Sequence, residues 1–250
     1  MLLAMETTLP YARQEGRVGY VLLLTGVAAL GGLLFGYDTA VISGAIGFLE
    51  KKFSLDAASK GWAASCVLLG CMLGAVVAGS FSDRFGRKKA LLMAAVLFTI
   101  SAIGAAVPPN LTWFVIARFL GGVGVGMASL VSPLYIAEVS PALIRGRLVS
   151  VNQFAIISGM LVVYFANALI THLGDEAWNV RMGWRWMFAS GAVPALVFLV
   201  LVFLIPESPR WLTKQGRADE ALTVLGKIGG RWHAENEIAE IKDAIAHEGG

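Results

Sequence analysis

Apolar stretches of about 20 residues recur six times along this chain, at about 20–48, 61–81, 90–107, 113–136, 148–171 and 184–205. At 1.5 Å of rise per residue, each is long enough to cross a hydrocarbon core roughly 30 Å thick. The composition agrees: 57% of residues are hydrophobic and only 15% are charged, an unusual balance for a water-soluble domain. The expected fold class is therefore an all-α membrane protein, a six-transmembrane-helix bundle. The first stretch is longer than a crossing needs, which predicts a tilt or an extension into the interface. It is also too long for a secretory signal and lacks a small-residue cleavage pattern.

Two charges interrupt these stretches. Asp38 lies inside Leu33-Leu34-Phe35-Gly36-Tyr37-Asp38-Thr39-Ala40-Val41-Ile42, and Arg118 inside Trp113-Phe114-Val115-Ile116-Ala117-Arg118-Phe119-Leu120. An ionisable group at bilayer depth costs roughly 2.5–3.5 kcal/mol even on a lenient insertion scale, and such residues face a partner or a water-filled path. Opposite charges in two separate spans point to a protonation switch, and so to transport. Three spans followed by three match one inverted-repeat unit of many secondary transporters. That symmetry puts spans one and four, the carriers of Asp38 and Arg118, in corresponding positions. Span one runs outward and reaches Asp38 late, and span four runs inward and meets Arg118 early. A salt bridge in the outer half of the membrane is the expectation.

The net charge of +3 says little, but its placement does. With a cytoplasmic N-terminus, the inside segments hold eleven basic residues: Arg13, Arg17, Arg84, Arg87, Lys88, Lys89, Arg145, Arg147, Arg210, Lys214 and Arg217. The outside holds five: Lys51, Lys52, Lys60, Arg181 and Arg185. The positive-inside rule then places both ends in the cytoplasm of a multi-pass cell (inner) membrane protein. Orientation accounts for most of these basic residues, and no nucleic-acid partner is expected.

Cys66 and Cys71, five apart on one helix, point in different directions and read as packing residues. No metal-ligand spacing or cofactor motif appears, and His172, His233 and His247 read as solvated loop or tail residues. Gly32 and Gly36, Gly70 and Gly74, and Gly122 and Gly126 each form a small-xxx-small spacing suited to close helix packing. The run Gly121 to Gly126 lacks the preceding strand of a nucleotide-binding turn. The expected organisation is an N-terminal segment 1–19, a bundle over 20–211, and over 212–250 the start of a helical domain on the cytoplasmic side. That last part has short amphipathic patterns at 217–228 and 234–247.

Four ordered motifs carry a family resemblance. Gly79-Ser80-Phe81-Ser82-Asp83-Arg84-Phe85-Gly86-Arg87-Lys88-Lys89, between spans two and three, resembles the signature loop of the major facilitator superfamily. There Asp83 is expected to accept hydrogen bonds from a helix N-terminus or an arginine. Gly31 to Gly44 (GGLLFGYDTAVISG) resembles the first helix of the sugar porter family. Pro133-Leu134-Tyr135-Ile136-Ala137-Glu138, followed by Arg145-Gly146-Arg147, resembles its fourth-to-fifth helix junction. Pro206-Glu207-Ser208-Pro209-Arg210-Trp211-Leu212 resembles the end of its sixth helix. The likeness is strongest to bacterial proton-coupled symporters of the xylose and galactose type.

The resemblance implies roles for individual residues. Asp38 matches the carboxylate that proton-coupled members protonate, and Arg118 its partner on helix four. Gln153 matches a sugar-binding glutamine, whose amide both donates to and accepts from hydroxyls. Phe35, Ile156 and Ile157 would line the same cavity. Asp83, Arg84, Arg87, Glu138, Arg145, Arg147, Glu207 and Arg210 match a cytoplasmic charge network thought to latch the two halves. The implied partners are a monosaccharide, a proton and the bilayer. The family has twelve spans and this chain six, so the expectation is an N-terminal half that works with a missing C-terminal half, or with a second copy. A proton-independent facilitator and a non-transporting sugar sensor stay open as alternatives. An enzyme is disfavoured, because no nucleophile–base pair appears.

Overall fold

A computed structural model describes residues 18–248. Hydrocarbon offers no hydrogen bonds to the backbone, so each apolar stretch closes its own as a helix. The helices are α1 (Val18–Phe53), α2 (Ala57–Phe85), α3 (Arg87–Ala106), α4 (Leu111–Val139) and α5 (Arg145–Thr171). A sixth span, Glu176–Leu204, is built from α6 (Glu176–Trp178), a π-turn (Asn179–Gly183), α7 (Trp184–Ser190) and α8 (Ala192–Leu204). Two polar helices follow, α9 (Pro209–Lys214) and α10 (Ala218–Glu248). The six expected spans are all present, and the fold is that of an all-α membrane protein.

Several boundaries differ from the hydropathy reading, for local reasons. α2 and α4 begin earlier because Asp56 and Asn110 cap them, accepting the N–H of Ser59 at 2.8 Å and of Trp113 at 3.0 Å. The sixth span begins eight residues before the expected position 184, where Asp175 accepts the N–H of Trp178 at 2.8 Å. Its first turns carry Asn179 and Arg181, so they fall below a hydropathy threshold. The two short patterns after Lys214 lie on one element, α10, which turns at Gly230 (φ 81°, ψ 176°). His233 and His247 therefore sit within α10 rather than in loops, while His172 caps the end of α5. The expected N-terminal segment, with Arg13 and Arg17, lies outside the described residues.

α1 packs on α5 as α4 packs on α2, α1 meets α4, and α3 lies against both α4 and the sixth span. Exchanging the first three spans with the last three swaps the α1–α5 and α2–α4 pairs, which is the internal symmetry of a 3+3 inverted repeat. The glycine spacings make these approaches. A side chain on Gly70 or Gly74 would enter the backbone at Phe119 and Val123, and one on Gly122 or Gly126 would enter it at Val67 and Cys71. On the other pair, Gly32 abuts Asn152, Gly36 abuts the Ile156 carbonyl, and Gly159 abuts the Leu33 carbonyl. Both cysteines are free.

Two apolar clusters fill the bundle. One, with Phe98, Tyr135 and Phe198, continues under Trp211 and Leu225 of the polar helices. The other, with Tyr37, Phe114, Ala117, Trp184 and Phe188, lies at the opposite end. α2 and α5 leave broad apolar faces open, with Val76 and Phe154 more than two-thirds exposed.

Replacing Gly36 with valine is expected to lower the melting temperature of the purified chain, because overpacking a close contact costs about 1–3 kcal/mol. Gly47→Ala, where an added methyl meets nothing within 4 Å, is expected to leave it unchanged or slightly higher. A thermal-shift assay in detergent checks both.

Candidate functional site

Asp38 and Arg118 meet where α1 crosses α4. Arg118 Nη1 donates to Asp38 Oδ1 at 2.6 Å, and Nη2 donates to the Asp38 carbonyl oxygen at 2.9 Å. The arginine side chain is fully buried and that of Asp38 is 14% exposed. Its guanidinium also lies over the Phe188 ring, 5.5 Å from the centroid. Charges that would each be costly alone thus share one buried contact. The pair sits in the half of the bundle farther from α9 and α10, among the residues of the second apolar cluster. Next to it, the Tyr37 hydroxyl is hydrogen-bonded to Ser190 Oγ at 2.6 Å, tying α1 to the sixth span.

Gln153 and Ile157 are exposed on α5, while Phe35 and Ile156 are partly buried. Gly36 rests on the Ile156 backbone, so Phe35, Gln153, Ile156 and Ile157 all flank the α1–α5 seam. The Gln153 amide makes no hydrogen bond to the described residues, so it is not spent on an interhelical contact.

A second polar centre closes the other end. Asp83 and Arg87 bracket the α2–α3 turn, where Gly86 (φ 101°) occupies a conformation that side chains disfavour. A Cβ there would also strike the Glu207 carboxylate. Arg87 donates from Nε to both Glu138 oxygens, at 3.2 and 3.0 Å, and from Nη2 to Oε1 at 3.0 Å. Its Nη1 donates to Asp83 Oδ1 at 2.9 Å and to the Ser82 carbonyl at 3.0 Å. Arg87 and Glu138 are buried and Asp83 is exposed. Ser208 Oγ also donates to Glu138, and Trp211 Nε1 donates to the Asp83 carbonyl at 2.9 Å.

The N-terminus of α3 is held by Glu207 rather than by Asp83. Glu207 accepts the N–H groups of Arg87 at 2.9 Å, Lys88 at 3.1 Å and Ser208 at 2.9 Å. Arg145 pairs with Glu237 of α10 at 3.5 Å. Asp83, Arg87, Glu138, Arg145 and Glu237, with Arg210 and Lys214, border a cavity of about 660 Å³ between the bundle and α10.

Two expected members stand outside this cluster. Arg84 lies over the Phe85 ring, 5.4 Å from its centroid, because it projects from the other side of α2. Arg147 is exposed and meets no carboxylate among the described residues. Conversely, Glu237, Ser208 and Trp211 belong to the cluster and were not anticipated. Ser208 and Trp211 both lie in the Pro206–Leu212 motif, where Ser208 is a capping residue before proline, whereas Glu237 comes from α10 with no local signal.

A bundle of six apolar helices, built as an inverted repeat around a buried ion pair, defines a multi-pass membrane protein of the transporter type. The chain belongs to the Sugar (and other) transporter family, which it matches over residues 24–249. The family and fold are those of transporters and not of enzymes. It is 44% identical over 244 residues to the arabinose-proton symporter of Bacillus subtilis, covering 98% of this chain and 52% of that protein. It is 47% identical over 254 residues to the D-xylose-proton symporter of Escherichia coli K12, covering 91% and 52%.

Among solved structures it is similar to the proton:xylose symporter XylE bound to 6-bromo-6-deoxy-D-glucose, with a TM-score of 0.89 and 45% identity. That match covers 92% of this chain and 54% of that one. The inward open form of XylE from E. coli matches with a TM-score of 0.84 and 46% identity, covering 91% and 57%. The chain spans about half the length of the relatives it matches.

Burial holds the Glu207 carboxyl above the ordinary glutamate range, while the N–H donors of Ser208, Lys88 and Arg87 pull it down. A carboxyl whose folded value is raised binds its proton more tightly when folded, so stability is lost as pH rises through that interval. Glu207→Gln is expected to remove this part of the stability–pH profile, as read by thermal melts across the acidic-to-neutral range.

Proposed function

We propose that this chain is the N-terminal half of a proton-coupled monosaccharide symporter, taking up a sugar together with a proton. The observation that carries the reading is the buried ion pair of Asp38 and Arg118, 2.6 Å apart within two membrane helices. A carboxylate whose charge is answered by a single partner gains or loses a proton as helix movements change that contact. The relatives named as arabinose-proton and xylose-proton symporters support sugar and proton as the pair transported.

In this reading Asp38 takes and releases the proton and Arg118 stabilises its ionised form. Gln153 hydrogen-bonds sugar hydroxyls from the open side of α5, with Phe35, Ile156 and Ile157 as apolar surface. A second set of six helices would complete the site and supply the partner against which this half rocks. Asp83, Arg87, Glu138, Arg145, Glu207 and Arg210 form the latch that breaks as the halves move, and Arg84 and Arg147 set orientation. The distribution of basic residues supports placing the face with α9 and α10 in the cytoplasm.

Asp38→Asn in the full-length transporter is expected to abolish uphill sugar uptake while leaving sugar exchange largely intact, as measured with labelled pentose in proteoliposomes. Preserved accumulation would exclude the proton role. Gln153→Ala is expected to weaken sugar affinity roughly tenfold or more, the loss of one to two good hydrogen bonds, with unchanged insertion. Isothermal titration with xylose, arabinose and glucose checks it, and unchanged affinity would make Gln153 structural.

A further inference from the structure

The Arg118 guanidinium serves one oxygen of the Asp38 carboxylate, Oδ1; the other, Oδ2, is buried and has no hydrogen-bond partner in the structure. A buried carboxylate oxygen without a donor is costly. Ser101 of α3 shows the complementary feature. It is 1% exposed, and its Oγ is also unpartnered.

Most hydroxyls in these helices bond back to their own backbone, as Thr39 does to Phe35, Thr99 to Ala95 and Ser158 to Phe154. Ser101 instead points across to α4. A Cβ on Gly121 would lie against Ser101 Oγ and 3.5 Å from Asp38 Oδ2, so both oxygens face the same bare patch of α4 backbone. On its other side Asp38 borders, with Tyr37, Phe98, Ala102 and Phe188, a cavity of about 20 Å³, room for about one water.

We propose that Ser101 is a positioning residue of the proton site, its hydroxyl serving as the second donor to the Asp38 carboxylate, directly or through one water. The assignment rests on the proton-coupled reading of Asp38. With the carboxylate ionised, Ser101 O–H donates toward Oδ2 while Arg118 holds Oδ1. When a proton arrives on Oδ2, the hydroxyl turns and accepts from the new O–H. A hydrogen bond to the charged form is the stronger of the two, so Ser101 favours release. The other groups facing Asp38 are Arg118 on α4, the buried Cys66 thiol on α2 and Tyr37 on α1, while the sixth span presents Phe188. Gly121 is part of the arrangement, because any side chain there would fill the space that the two oxygens share.

The test is infrared difference spectroscopy of the full 250-residue chain in lipid nanodiscs, following the protonated-carboxyl C=O band across pH. The Asp38 band is the one lost in Asp38→Asn. Ser101→Ala is expected to raise the midpoint of that band by about one pH unit, a tenfold tighter proton, with an unchanged melting temperature. Ser101→Thr, which keeps the hydroxyl, is expected to restore the midpoint. An unmoved midpoint in Ser101→Ala, or one that Ser101→Thr does not restore, would overturn the assignment. A wild-type chain with no titrating Asp38 band would instead overturn the proton-site reading beneath it.

Discussion

Inside a bilayer, apolar side chains gain little by leaving lipid for one another, so helices associate where their backbones can approach closely and disperse less packing space between them. In this chain that approach is made by glycine. Gly70, Gly74, Gly122 and Gly126 bring α2 onto α4, and Gly32, Gly36 and Gly159 bring α1 onto α5. The rest of the bundle depends on these two seams. α1 also meets α4 closely, with Gly31 against Ser132 and Ala128, and two turns further along α1 Arg118 of α4 reaches the Asp38 carboxylate.

The ion pair follows from that geometry. Arg118 is fully buried, and its two terminal nitrogens are answered by the side chain and the carbonyl of a single residue, Asp38, with Phe188 beneath the guanidinium and Nε left without a partner. The two seams are related by the exchange of one helix triplet for the other, so the pair lies where the two repeats cross. The polar centre at the other end obeys a different rule. There the helix ends bring unsatisfied N–H groups together, and Glu207 answers those of α3 while Arg87, at the start of α3, reaches α4 through Glu138 and α2 through Asp83. One site sits in the apolar interior, and the other borders an open cavity under α10.

The spans were legible because a hydrocarbon-length apolar run has few alternatives to a helix. Their ends were less so, since Asp56, Asn110 and Asp175 extend helices into polar sequence that hydropathy passes over. The small-residue spacings identified which faces pack, though not against which helix. Within the basic loop, Arg84 and Arg87 look alike in sequence. They differ because Gly86 turns the chain, so that Arg87 faces Glu138 while Arg84 rests on Phe85. The cap that Glu207 provides to α3 comes from 120 residues away, beyond the reach of any local pattern. Ser101 was invisible for the same reason: a serine in an apolar helix ordinarily bonds its own backbone.

By itself, the sequence determined the membrane class, the number of spans, the faces that pack closely and the two residues whose charge must be answered inside the bilayer. Each of these is a property of a single helix, set by the cost of placing its groups in hydrocarbon. The expected pairing of those two was met, while the tertiary structure alone decided which charges pair at the α9 end, which donor each carboxylate oxygen receives and which of the basic residues join the cluster. Those outcomes depend on distances of a few ångströms between helices remote in sequence, and only the packed bundle sets them.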